Sequence, residues 1–93
     1  MNIQLIAVEI GDALKYDTSI NEITRIASAI LPFQHDHFPN DAITSQRAKL
    51  IYDWIMGLGR YRCTPAERSD LLTTFLLRLV PEGEVLERVL KIL

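Results

Sequence analysis

The chain has 93 residues, of which 48% are apolar and 24% charged, and its formal net charge is −2. That balance excludes the disordered class, and the near-neutral total argues against a dedicated nucleic-acid binder. The only cysteine, Cys63, cannot form an internal disulfide, and the apolar stretches are broken by charges well short of membrane-spanning length, so a cytoplasmic protein without a membrane segment is expected. Met1-Asn2-Ile3-Gln4 carries none of the basic and small-residue signals of a cleaved leader.

Leu and Ile dominate the apolar set and only four Val are present, which favours helix over strand. The length suits a single domain, 1–93, and the spacing of apolar residues predicts five helices. The first spans about 2–15 and gathers Ile3, Ile6, Ala7, Ile10, Ala13 and Leu14 on one face, with Leu5 and Val8 on the other. Gly11 inside it costs roughly 1 kcal/mol relative to alanine. The second begins at Ser19, where Ser19 and Glu22 have capping-box spacing, and carries an Ile20, Ile23, Ile26, Ala27, Ile30, Leu31 stripe until Pro32 ends it.

Residues 32–42 read as the longest loop, anchored by Phe33 and Phe38, with room for a short sixth helical turn. The third helix follows a cap at Thr44 or Ser45 and runs to Leu58, with Gly59 as its stop. It is apolar around most of its circumference, which predicts a central position. Thr64-Pro65-Ala66-Glu67 opens the fourth helix with a cap, a proline in the first helical position and the second half of a capping box. Its stripe is Leu71, Leu72, Phe75, Leu76, Leu79 and Val80, with Leu77 on the polar side and Pro81 beyond the end. The fifth, about 82–92, is expected to bury Val85, Leu86, Val89, Leu90 and Ile92. Short connections predict antiparallel neighbours, hence an all-α fold, a compact bundle of five or six short helices around the third.

Catalytic signals are sparse. His35-Asp36-His37 supplies only part of a tetrahedral zinc set, and the one further soft ligand is Cys63. Cys63 has two arginines nearby but no cysteine-hydrolase signature, and Gly57-Leu58-Gly59-Arg60 lacks the spacing of a phosphate loop. No enzyme, metal or cofactor is expected; a pocket uniting His35, His37 and Cys63 would contradict that.

Charge, by contrast, is unevenly spread. Residues 1–45 sum to −4 and residues 46–93 to +2. Asp12, Asp17 and Glu22 form a candidate acidic patch, and Arg47, Lys49, Arg60 and Arg62 a candidate basic patch about the turn between the third and fourth helices. Contact between them on neighbouring copies would be heterologous, building rings or open filaments. Leu5, Val8 and Leu77, apolar residues off their stripes, would mark a partner site if they cluster. In architecture and length the design is similar to death-fold adaptor domains and to the small helical effector-associated domains of bacterial defence proteins. The resemblance implies a protein–protein module that pairs through charged patches. The competing reading places Arg60, Tyr61, Arg62 and Arg68 on the phosphates of a nucleic acid, with the fourth helix in the role of a recognition helix. Glu67 and Asp70 in its first turns oppose that.

Overall fold

The sequence carries its own start and stop signals, and five helices form between them. In the computed structural model, which describes residues 2–34, 44–80 and 82–92, these are α1 (Ile3–Leu14), α2 (Ile20–Ile30), α3 (Thr44–Arg60), α4 (Pro65–Leu79) and α5 (Glu84–Ile92). No strand occurs among the described residues, so the fold is all-α. Phe38 lies outside them.

The caps explain the starts. Asn2 accepts a hydrogen bond from the Leu5 backbone N–H at 3.1 Å, and Ser19 accepts one from Glu22 at 3.2 Å. The Thr64 hydroxyl accepts from the Glu67 N–H and donates to the Glu67 carboxylate, both at 3.1 Å. The Glu67 side chain therefore meets the hydroxyl of the cap in place of the cap's backbone N–H. Replacing Thr64 by alanine leaves one N–H at the helix start without its acceptor, and should cost about 1 kcal/mol, or roughly 4–8 °C in Tm. A thermal melt by circular dichroism checks this, and a shift under about 1 °C would contradict it.

The buried side chains of all five helices join one core. Ile6, Ala7, Ile10 and Leu14 come from α1, Ile23, Ile26 and Ala27 from α2, Leu50, Ile51, Trp54, Ile55 and Leu58 from α3, Leu72, Phe75 and Leu76 from α4, and Val89 from α5. The radius of gyration is 12.0 Å, the ~12 Å of a folded chain of this length. Apolar around most of its circumference, α3 packs against three neighbours, α1, α2 and α4. The fifth helix is different, because it lies chiefly against α1. One neighbour covers one face, so Val89 is buried while Leu90, expected in the core, is 52% exposed.

Two further expectations change. Gly59 does not stop α3, which runs on to Arg60 and closes through a Tyr61 N–H to Gly57 carbonyl bond of 2.9 Å. Its missing side chain makes room for Ile3: a Cβ on Gly59 would stand 3.1 Å from two Ile3 carbons. Gly11, read as a helix weakness, is a point of backbone contact, since a Cβ there would lie 2.6 Å from the Ala48 carbonyl oxygen. The glycine that serves as a turn is Gly83, at φ +96°, directly before α5.

Phe33 meets the expectation of a loop anchor. Its ring covers Gly57, where a Cβ would come within 2.7 Å of it, and leans on Trp54 and Tyr61 with centroids at 5.6 and 5.8 Å.

Candidate functional site

The contacts of α1 with α3 set the distribution of charge. Ile3, at the start of α1, meets Gly59 near the end of α3; Gly11 meets Ala48. At the end of α1, the Arg47 guanidinium donates to the Lys15 carbonyl at 3.2 Å. The two helices are therefore antiparallel, and opposite ends of the pair carry different groups.

One end is acidic. Asp12 lies in the last turn of α1, and Asp17 in the turn after it, where its N–H bonds the Leu14 carbonyl at 3.0 Å. Thr18, buried, donates its hydroxyl to the same carbonyl at 2.9 Å. Glu22 follows in the first turn of α2, held by the Ser19 cap. An open groove between α1 and α5 brings Glu9, Asp12 and Asp17 together with Lys15, Tyr16 and Arg88. Tyr16 is 75% exposed, and Lys15 sits 5.3 Å from its ring centroid. Neither was picked out from the sequence, because both fall past the last regular turn of the stripe. Asp12 holds the Lys15 ammonium at 2.6 Å, and this hydrogen bond, with the carboxylate charge, raises the Lys15 pKa above the ordinary lysine value. On the lysine side the pair's small contribution is present at neutral pH and is lost as pH rises through that raised value.

The other end carries Arg60 and Arg62, both exposed and without an ion-pair partner among the described residues. Here the proposed basic patch needs correction. Arg47 and Lys49 are not beside Arg60 and Arg62; they sit at the opposite end of α3, among the acidic residues. A helix of 17 residues is ~25 Å long, so its two termini cannot share a patch. Arg47 also spends its guanidinium on the end of α1, as above, and Lys49 pairs with Asp53 and lies 5.2 Å from the Tyr52 ring centroid.

The phosphate-contact set shrinks for a related reason. Arg68 is half-buried and donates through Nε to the Leu58 carbonyl at 3.2 Å and through Nη2 to the Tyr61 carbonyl at 3.0 Å. It closes the C-terminal end of α3, where carbonyls lack helical donors. Tyr61 packs on Phe33. Only Arg60 and Arg62 of the four remain on offer to an anion.

Among the off-stripe apolar residues, Leu5 and Val8 are 53% and 51% exposed and share one shallow groove with Asn2 and Gln4. Val8 continues into a second groove with Asp12, Ser45, Ala48, Lys49 and Tyr52. Leu77, 40% exposed on α4, belongs to neither.

His35, Asp36 and His37 lie outside the described residues. Cys63 is free and half-buried in the turn before α4. Among the described residues no three His, Cys, Asp or Glu side chains gather to hold a metal, and no helix is long and apolar enough to cross a membrane. The chain matches no protein-family model, no curated protein and no solved structure.

Proposed function

We propose that this protein is a helical protein–protein interaction module that associates end to end through opposite charges, with a second copy of itself as partner, in the manner of death-fold-like adaptor domains. The observation that carries the reading is the placement of Arg60 and Arg62, exposed and without an ion-pair partner among the described residues, at one end of the antiparallel α1–α3 pair, and of Asp12, Asp17 and Glu22, intermixed with Lys15, Arg47 and Lys49, at the other. Unlike ends meet in a heterologous contact, which leaves one end free on each terminal copy and so propagates into a filament or closes into a ring.

The expected strength is modest. Exposed ion pairs contribute about 0.2–1 kcal/mol each and are screened beyond ~10 Å at 0.1 M salt. Association should therefore grow with protein concentration, exceed a dimer at low salt and dissolve as salt is added. Light scattering coupled to size-exclusion chromatography measures it directly. Arg60→Glu with Arg62→Glu should abolish the larger species, and so should Asp17→Lys with Glu22→Lys. An equimolar mixture of the two double variants then tests polarity. Each variant has two ends of like charge, and the mixture restores contact between opposite charges. Assembly beyond a dimer that ignores both salt and the arginine substitutions would refute the end-to-end reading.

A further inference from the structure

We infer that the lateral α1–α3 face is an isologous dimer interface, taken by a second copy of this chain about a two-fold axis running along the groove between the two helices. This surface shares Asp12 with the acidic end and is otherwise distinct from the charged ends, and the inference does not depend on their association.

The face is built like a helix-packing seam that no other helix covers among the described residues. Leu5, Val8 and Asp12 follow one another along α1 at spacings of three and four; Ser45, Lys49, Tyr52 and Met56 do so along α3 at four, three and four. Such spacing keeps each set on one side of its helix. Val8, Asp12, Ser45, Lys49 and Tyr52 line a common groove, and Leu5 extends it. Leu5 and Val8 are each about half exposed, at 53% and 51%, which places two large apolar side chains side by side in water.

The register of α1 on α3 then selects the occupant and its orientation. Gly11 faces Ala48 and Ile3 faces Gly59, so Asp12 lies level with Lys49 and Val8 level with Tyr52. A two-fold axis along the groove exchanges the two helices across the interface without changing level. Asp12 of each copy then opposes Lys49 of the other, and Val8 opposes Tyr52. Every helix in the resulting four-helix arrangement has antiparallel neighbours. A two-fold axis across the helices would instead oppose Asp12 with Leu5 and bury a carboxylate against a leucine, which is unfavourable. The face thus complements itself in one orientation, and a uniformly charged or wholly apolar partner fits it less well.

The charges can reach. The Asp12 side chain is 71% exposed and that of Lys49 57% exposed, although each already has a neighbour of opposite sign on its own helix, Lys15 and Asp53. Exposed local pairs of this kind are weak, so sharing them with a second copy costs little. The face is short: α1 has 12 residues and is therefore ~18 Å long. So short a face fits a weak dimer, with an expected Kd on the order of 10–100 µM.

Sedimentation equilibrium of the whole chain from about 10 µM to 1 mM, both at low salt and in about 0.5 M salt, which suppresses end-to-end contacts, tests the inference, with the charge variants compared at low salt. A monomer–dimer equilibrium is expected. Val8→Asp should weaken it at least about tenfold with an unchanged far-ultraviolet spectrum, since Val8 is half exposed and outside the core. Asp12→Lys sets lysine against lysine and should weaken the dimer, and Asp12→Lys combined with Lys49→Asp should recover it. Arg60→Glu with Arg62→Glu should leave the dimer intact while removing larger species, which separates this interface from the charged ends. A monomer throughout the range, a dimer indifferent to Val8→Asp, or a charge exchange that fails to recover association would each overturn the proposal.

Discussion

Replacing Trp54 by alanine is expected to destabilise the fold by about 3–5 kcal/mol, the largest loss from any single side chain here. Trp54 is the only tryptophan, is 1% exposed and belongs to α3, the helix that contacts α1, α2 and α4. Its removal leaves a cavity that three helices would have to collapse to fill, and backbones already in close contact at Gly11 and Ala48 have little freedom to do so. It also takes away the ring that Phe33 leans on at 5.6 Å, so the segment after α2 loses part of its anchor. A domain of this size has a total stability of about 5–14 kcal/mol, so the variant should melt some 15–30 °C lower. Urea unfolding followed by circular dichroism is the measurement, because tryptophan fluorescence disappears with the substitution. A double-mutant cycle with Phe33→Leu should return a coupling of about 0.5–1.5 kcal/mol for the ring pair. A loss below about 1.5 kcal/mol for Trp54→Ala would show that the site is not part of a tightly packed core.

The second large effect is Gly11→Ala, and its sign is the informative part. Helix propensity alone predicts that alanine stabilises α1 by about 1 kcal/mol. Packing predicts the reverse. The added Cβ would stand 2.6 Å from the Ala48 carbonyl oxygen and 3.3 Å from its carbon, and both are backbone atoms of α3 that no rotamer change can move. The helices must separate, which disturbs the neighbouring contacts of Ala7, Ile10, Leu14 and Ile51 in the core. Overpacking of this kind costs about 1–3 kcal/mol, and more where backbone must shift. We expect a net destabilisation of about 2 kcal/mol, larger still for Gly11→Val, whose branched side chain also restricts the helix. Thermal and urea unfolding report it. An unchanged or raised stability would mean that α1 and α3 approach less closely than the structure has them.

These two positions show what sequence reasoning can reach. Trp54 was legible as core because it falls inside a helix whose apolar residues occupy most of its circumference. Gly11 was misjudged, since at the level of one helix a glycine registers only as a propensity cost. Ala7 and Gly11, four apart on the buried side of α1, are a pair of small residues that would have hinted at a close helix crossing. The partner backbone at Ala48 is 37 positions further along the chain, and no local pattern points to it.

The candidate site divides along the same line. Asp12, Asp17 and Glu22 were grouped by their nearness in sequence; Asp12 and Asp17 line one groove, and Glu22 follows in the first turn of α2. Arg47 and Lys49 were grouped with Arg60 and Arg62 by charge and sequence neighbourhood, although the length of α3, itself readable from the sequence, separates them. That Arg68 closes α3, that Arg47 closes α1, and that Leu5 and Val8 line one groove with Tyr52 depend on helices meeting in a particular register.

By itself, then, the amino-acid sequence determined the helix content, the helix starts at Ser19 and Thr64, the stripes of α2 and α4, and the central role of α3. All of these follow from capping chemistry and from a period of about 3.6 residues acting within one or two turns. Tertiary structure decided the roles of Gly11, Gly57 and Gly59 as sites of close approach, the exposure of Leu90, and which charges face one another. Those outcomes arise from contacts between residues distant in the chain, where the fit of one surface against another, not the propensity of either, sets the register.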